Sequence, residues 1–149
     1  STPRKKIRVR YYENKSENLN LEKKINSQEG KYKITCKLNL KYLNYYKKRG
    51  LYDSTYGTCY PLLFVNYNRS YYKKKNFRIT LDTNISFKNF LYPNFKFSEN
   101  FLILEVKISD KFDVPLDLQQ LPLNKIRYSK YSEGIKKVFD KIDKNRFNF

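Results

Sequence analysis

Lys6-Ile7-Arg8-Val9-Arg10 alternates cation and aliphatic residue without a break. Successive side chains of a β-strand point to opposite faces, so residues two apart share one. A strand through this stretch carries Lys6, Arg8 and Arg10 on one side, Ile7 and Val9 on the other. The same reading extends along the chain. In Leu21-Glu22-Lys23-Lys24-Ile25, Glu22 and Lys24 oppose Leu21, Lys23 and Ile25, a less clean division. Arg78-Ile79-Thr80-Leu81-Asp82 sets Arg78, Thr80 and Asp82 against Ile79 and Leu81, and Leu104-Glu105-Val106-Lys107-Ile108 sets Glu105 and Lys107 against Leu104, Val106 and Ile108. Lys31 with Lys33, and Tyr67 with Arg69, also share a face.

Around these runs, β-branched and aromatic residues alternating with polar ones predict strands over residues 6–12, 19–25, 32–38, 62–71, 77–85 and 101–109. Residues 38–49 place Leu40, Leu43 and Tyr46 at helical spacing ahead of Gly50 and predict a short helix. Beyond Tyr128-Ser129, the residues Ile135, Val138, Phe139 and Ile142 form an apolar stripe with Lys on the other side, a helix with Ser132 as expected N-cap that packs on the sheet. No solenoid-length repeat or Pro/Gly/Ser linker divides the chain, so an α+β fold in a single domain over residues 1–149 is expected.

Charge narrows the function. There are 32 Lys and Arg against 14 Asp and Glu, a net charge of +18. Compositional bias towards Lys, Asn, Tyr, Ile and Phe, with no Ala, would raise Glu as readily as Lys, so it does not explain the surplus of base. A compact chain this basic repels itself, and the surplus points to a polyanionic partner. The absence of His excludes Ser-His-Asp triads and His-ligated metals, leaving carboxylates, Lys, Arg and Tyr for chemistry. Cys36 and Cys59 are too few for a zinc site and are expected as reduced thiols. No run approaches the ~18 apolar residues of a membrane span, and residues 1–10 are basic without an apolar signal core, so a soluble, cytoplasmic domain is expected.

An antiparallel sheet with one solvated, charged face needs no function. Repetition of Arg and Lys with a single carboxylate on several strands suggests more: if the sheet closes, the charged faces line a tunnel and the apolar faces receive outer helices, inverting the usual barrel. Guanidinium forks and ammonium groups suit a phosphate chain. Glu22 and Glu105 would repel it unless Mg²⁺ or Mn²⁺ bridges carboxylate and phosphate oxygens. The simpler alternative is a salt bridge from each to its neighbour, Lys24 or Lys107.

Lys6-x-Arg8-x-Arg10-x-Tyr12, Glu22-x-Lys24, Tyr32-Lys33, Pro61-Leu-Leu-Phe-Val-Asn-Tyr67-Asn-Arg69, Arg78-Ile-Thr-Leu-Asp82, Leu104-Glu105-Val-Lys107 and Ser129-Lys130-Tyr131-x-x-Gly134 follow one another in the order and approximate spacing of the VTC domain. The chain resembles that family, the polyphosphate polymerase branch of the triphosphate tunnel metalloenzymes, from Lys6 to about Ile135. The resemblance implies a closed antiparallel tunnel with flanking helices that adds the terminal phosphoryl group of ATP to a growing polyphosphate chain with Mn²⁺ or Mg²⁺. Carried over by position, it gives Arg8, Arg10, Lys24, Arg69, Arg78 and Glu105 catalytic roles. Lys6, Lys33, Lys107, Ser129 and Lys130 would bind phosphate, and Glu105 and Glu22 would hold the metal. Two strands that usually precede the basic strand in the family are missing before Lys6, so an N-terminally incomplete domain, a further chain completing the tunnel, or a reduced form with lost activity is expected. Thr35 stands where the family often has another base.

Two alternatives stay open. Water in place of the phosphate nucleophile would make a tripolyphosphate or nucleoside triphosphate hydrolase. A non-catalytic polyphosphate- or RNA-binding module would use the Tyr- and Lys-rich residues 42–49 and 71–75 for stacking and backbone contacts, although no specific nucleic acid is expected as partner.

Overall fold

A computed structural model describes residues 4–12, 15–109, 113, 116–120, 122 and 124–146. In chain order the elements are β1 (Arg4–Tyr12), β2 (Lys15–Ser27), β3 (Gly30–Leu38), α1 (Leu40–Arg49), β4 (Leu51–Asp53), β5 (Gly57–Cys59), β6 (Leu63–Lys74), β7 (Phe77–Asn89), β8 (Lys96–Ser98), β9 (Ile103–Ile108), the single turn α2 (Leu116–Gln119) and α3 (Lys130–Arg146). All six predicted strands are present. The three that were not predicted, β4, β5 and β8, are three residues each, too short to display a two-residue period.

The class is α+β with antiparallel pairing in every ladder. The sheets are β1-β2-β3, β4-β5, and β6-β7-β8 with β9 also paired to β7. No closed barrel is found among the described residues. The chain divides into two compact units, Ser1–Pro61 and Leu62–Phe149.

In the first unit, β1 and β3 flank β2, and strict alternation separates a cationic face from an apolar one. Lys5 and Lys23 break the apolar face of Ile7, Val9, Leu21 and Ile25, and both are drawn to Asp53 at the end of β4, at 3.1 and 3.2 Å. That contact accounts for the uneven pattern of residues 21–25. The backbone N–H of Thr55, then Lys5 and Lys23, hold the Asp53 carboxyl well below the ordinary range. Asn39 caps α1 by accepting the Tyr42 N–H at 2.9 Å, and Gly50 ends the helix at φ 79. A side chain at Gly50 would also meet Thr58 Cγ2 at 2.5 Å, so glycine is required for both conformation and space.

In the second unit, an irregularity in β7 places the core. The β6 register passes from Asn68 to Asn66 while β7 passes from Thr83 to Ser86, so β7 carries one extra residue, with Asn84 in the left-handed region at φ 51. Strict alternation would put Ile85 beside Ile79 and Leu81. The bulge instead places Ile85 and Phe87 on the face of Thr80 and Asp82. That face is polar along one half and apolar along the other. Helix α3 covers the apolar half, packing Val138 against Ile85 and Phe87 with Leu63, Val65, Phe97 and Phe139 around them. The helix therefore lies on the face that bears Asp82, not on the opposite aliphatic face where outer helices were expected. Gly134 permits the close approach: a Cβ there would lie 2.6 Å from both Leu63 Cδ2 and Phe87 Cδ1. The N-cap is Ser129, whose Oγ accepts the Ser132 N–H at 3.5 Å, one turn earlier than the expected Ser132. Ile142, predicted on the apolar stripe, has its side chain outside the described residues.

Candidate functional site

Cross-strand register assembles the cations into rows, because residues paired across an antiparallel ladder share a face. In the first unit Lys6 pairs with Lys24 and Lys24 with Lys33, giving three lysines abreast. The neighbouring rows on this face are Arg8-Glu22-Thr35, Arg10-Asn20-Lys37 and Arg4-Asn26-Lys31. Eight cations thus share a face with one carboxylate. In the second unit Lys73 pairs with Arg78 and Arg78 with Lys107, a second row of three, followed by Tyr71-Thr80-Glu105 and then Arg69-Asp82-Ile103. Like charges at adjacent cross-strand positions, about 5 Å apart at Cβ, oppose folding.

Each cationic face has one buried carboxylate. Glu22 is 3 % exposed. Its Oε2 accepts from Arg8 Nε at 2.6 Å and Nη2 at 2.5 Å, and its Oε1 lies 3.1 Å from Lys33 Nζ and 3.7 Å from Arg10 Nη1. Burial by itself pushes this carboxyl up, but hydrogen bonds from Arg8 and Lys33, with the charges of Arg8 and Arg10, outweigh it and hold the group below its usual range. Asp82 is 1 % exposed. Arg69 grips it with a two-bond fork, Nε to Oδ1 at 2.5 Å and Nη2 to Oδ2 at 2.7 Å. Lys130 Nζ reaches Oδ2 at 2.5 Å from the first turn of α3. Burial again pushes upward and is outweighed by Arg69 and Lys130, so Asp82 too is held low. The Tyr67 ring carries both cations, with Arg69 Cζ 5.1 Å and Lys130 Nζ 4.9 Å from its centroid.

The residues expected to act together therefore fall into two groups. Lys6, Arg8, Arg10, Glu22, Lys24 and Lys33 share one face of the first unit. Arg69, Arg78, Glu105, Lys107 and Lys130 share one face of the second. Ser129 is the helix cap beside Lys130. Glu105 is half-exposed and pairs with Lys107 at 3.2 Å, the neighbour that the simpler alternative named. Glu22 instead takes cations from β1 and β3. Tyr67 was legible as sharing a face with Arg69, and Lys73 as part of the basic residues 71–75, but not the ring's contact with two cations or the row. The anchoring part of Asp82 escaped the sequence reading, although a lone acid alternating with aliphatic residues inside a basic strand was its signal.

A divalent cation needs free hard oxygens. Both oxygens of Glu22 already face cations, so Glu22 does not fit the expected metal role. Glu105 fits better: it is partly open, and its row partner Thr80, 3 % exposed, has an Oγ1 without a hydrogen-bond partner among the described residues. No group of three or more His, Cys, Asp or Glu residues stands ready for a metal among the described residues. The two cysteines are free thiols, and no described helix is long and apolar enough to cross a membrane. Of the two segments considered for base stacking, Tyr42 and Tyr45 on α1 and Tyr71 and Tyr72 on β6 are exposed.

Comparison with known proteins gives one match: the family model described as the VTC domain aligns with residues 1–139. No curated protein and no solved structure matches the chain.

Proposed function

The chain belongs to the VTC domain family, and from that premise we propose that it is an ATP-dependent polyphosphate polymerase, a phosphotransferase that lengthens a polyphosphate chain. The observation that carries this reading is the pair of three-cation rows, Lys6-Lys24-Lys33 and Lys73-Arg78-Lys107. One member of each row already pairs with a carboxylate, Lys33 with Glu22 and Lys107 with Glu105, and a phosphate chain, with several negative oxygens in line, complements each row as a whole. The finer form of the reading is the closed tunnel of the family, which a row of this kind would line.

In the transfer, an oxygen of the chain's terminal phosphate forms a bond to the γ-phosphorus of ATP while the bond from that phosphorus to the β–γ bridging oxygen breaks, and ADP leaves. A loose phosphoryl transition state asks for alignment and charge neutralisation more than for a strong base, so a site without His is adequate. In the first unit Arg10 presents a guanidinium group, Arg8 the N–H groups left over from Glu22, and Lys24 and Lys33 ammonium charges; in the second, Arg69 presents the N–H groups left over from Asp82, with Arg78, Lys107 and Lys130 as its other cations. Glu105, with the Thr80 hydroxyl beside it, would hold Mn²⁺ or Mg²⁺, which would supply positive charge to offset that of the phosphates.

Incubating the purified protein with ATP and Mn²⁺ and resolving polymeric phosphate by electrophoresis tests the reading. Accumulating polymer is expected. A folded protein that makes none contradicts it, and orthophosphate released without polymer would transfer the assignment to a hydrolase using the same residues.

A further inference from the structure

The two units share a device that their sequences do not announce. In each, a buried carboxylate on one strand sits directly across from an arginine on the preceding strand, Arg8 with Glu22 and Arg69 with Asp82. In each, that arginine donates through both Nε and Nη2. In each, a lysine from a third element completes the cluster, Lys33 from β3 and Lys130 from α3. A carboxylate facing a phosphate chain repels it, so its place amid binding cations needs a reason.

We propose that Glu22 and Asp82 are positioning residues that anchor the phosphate-contacting cations in fixed orientations and thereby make the site select phosphate chains over other polyanions. The inference rests on the phosphate-binding reading above. A free Arg or Lys side chain loses rotamer freedom on gripping a ligand. An anchored one has lost it already, and Arg69 keeps its remaining N–H groups in a set direction. The anchoring carboxylate weakens attraction for every anion alike, while the geometry it imposes favours only the anion whose oxygens match. A face of free cations would bind any polyanion, whereas an anchored face discriminates. The occupied oxygens of Glu22 make the same point against metal ligation, because a divalent ion would have to displace Arg8 or Lys33.

The test is calorimetric binding of tripolyphosphate and of citrate to the full chain, in chelator, for the wild type, Glu22→Gln, Arg8→Ala, their double variant and Asp82→Asn, with folding checked by thermal melts. The ratio of the two affinities removes most of the charge effect. Because tripolyphosphate is more negative than citrate, the residual effect of neutralising a carboxylate raises the ratio, opposite in sign to the drop that lost anchoring produces. The expected result is a preference for tripolyphosphate that drops about tenfold in Glu22→Gln and in Asp82→Asn. In the Arg8→Ala background, Glu22→Gln should change the ratio by clearly less than in the wild type, because Arg8 is then lost and Glu22 keeps only its hold on Lys33 and Arg10. Should Asp82→Asn not fold, the Glu22 cycle decides alone. Ratios unchanged in the folded carboxylate variants overturn the proposal, as does an undiminished effect of Glu22→Gln without Arg8. An effect that emerges only on adding Mn²⁺ overturns it in favour of metal ligation. Wild-type protein that does not bind tripolyphosphate contradicts the phosphate reading itself, whereas binding that is insensitive to both carboxylates contradicts only the anchoring.

Discussion

Asp82 shows how one buried acid ties two elements together. Arg69 and Lys130 are both mostly shielded beside it, so removing its charge leaves two cations facing a desolvated amide. Asp82→Asn is expected to destabilise the protein by about 3 kcal/mol, as for a buried pair that loses one partner. Glu22→Gln should cost less, because Arg8 and Lys33 are 40 % and 48 % exposed and can turn to water. Chemical denaturation of the two variants checks the order. Both carboxyls are held below their ordinary range in the folded chain, so the unfolded chain binds more protons on acidification. Their contribution is complete above the unfolded pKa of about 4 and is lost as pH falls through the lower folded values. Melting temperature should hold level down to about pH 5 and drop below about pH 4. A melting temperature that rises on acidification would refute this assignment.

Two elements depend on single residues whose importance lies in backbone geometry. Gly134 lets α3 approach Leu63 and Phe87, although a glycine inside a helix ordinarily costs about 0.5–1 kcal/mol against alanine. Gly134→Ala is therefore expected to destabilise by about 1–3 kcal/mol through overpacking, and to weaken tripolyphosphate binding as Lys130 is lifted from Asp82. A more stable variant with unchanged binding would show that the helix has room to spare. Asn84 holds the bulge at φ 51, so Asn84→Gly should be tolerated. Asn84→Val should cost about 1–2 kcal/mol, since a branched side chain resists the left-handed region; thermal melts of both variants decide. The long strands and both longer helices were legible because their periods run over many residues. The bulge was not, because Thr83-Asn84-Ile85 carries no mark that the alternation reverses there. Asp53 also went unread: its hold on Lys5 and Lys23 depends on residues 48 and 30 positions apart in sequence. The cationic members of the candidate site were legible as alternating residues, but their rows were not, because which lysine stands abreast of which follows from strand register.

At the scale of the whole molecule, a net charge of +18 is a standing cost that a polyanion removes. Tripolyphosphate should raise the melting temperature well beyond sodium chloride at equal ionic strength, because a ligand that binds the folded chain stabilises it by mass action. The central claim is that the three-cation rows are where a phosphate chain lies. A crystal structure of the protein with tripolyphosphate tests this most directly. The account predicts phosphate oxygens within hydrogen-bonding distance of Lys6, Lys24 and Lys33 or of Lys73, Arg78 and Lys107, with Arg8 still on Glu22 and Arg69 still on Asp82. Tripolyphosphate held on some other surface, with both rows facing only water, would contradict it.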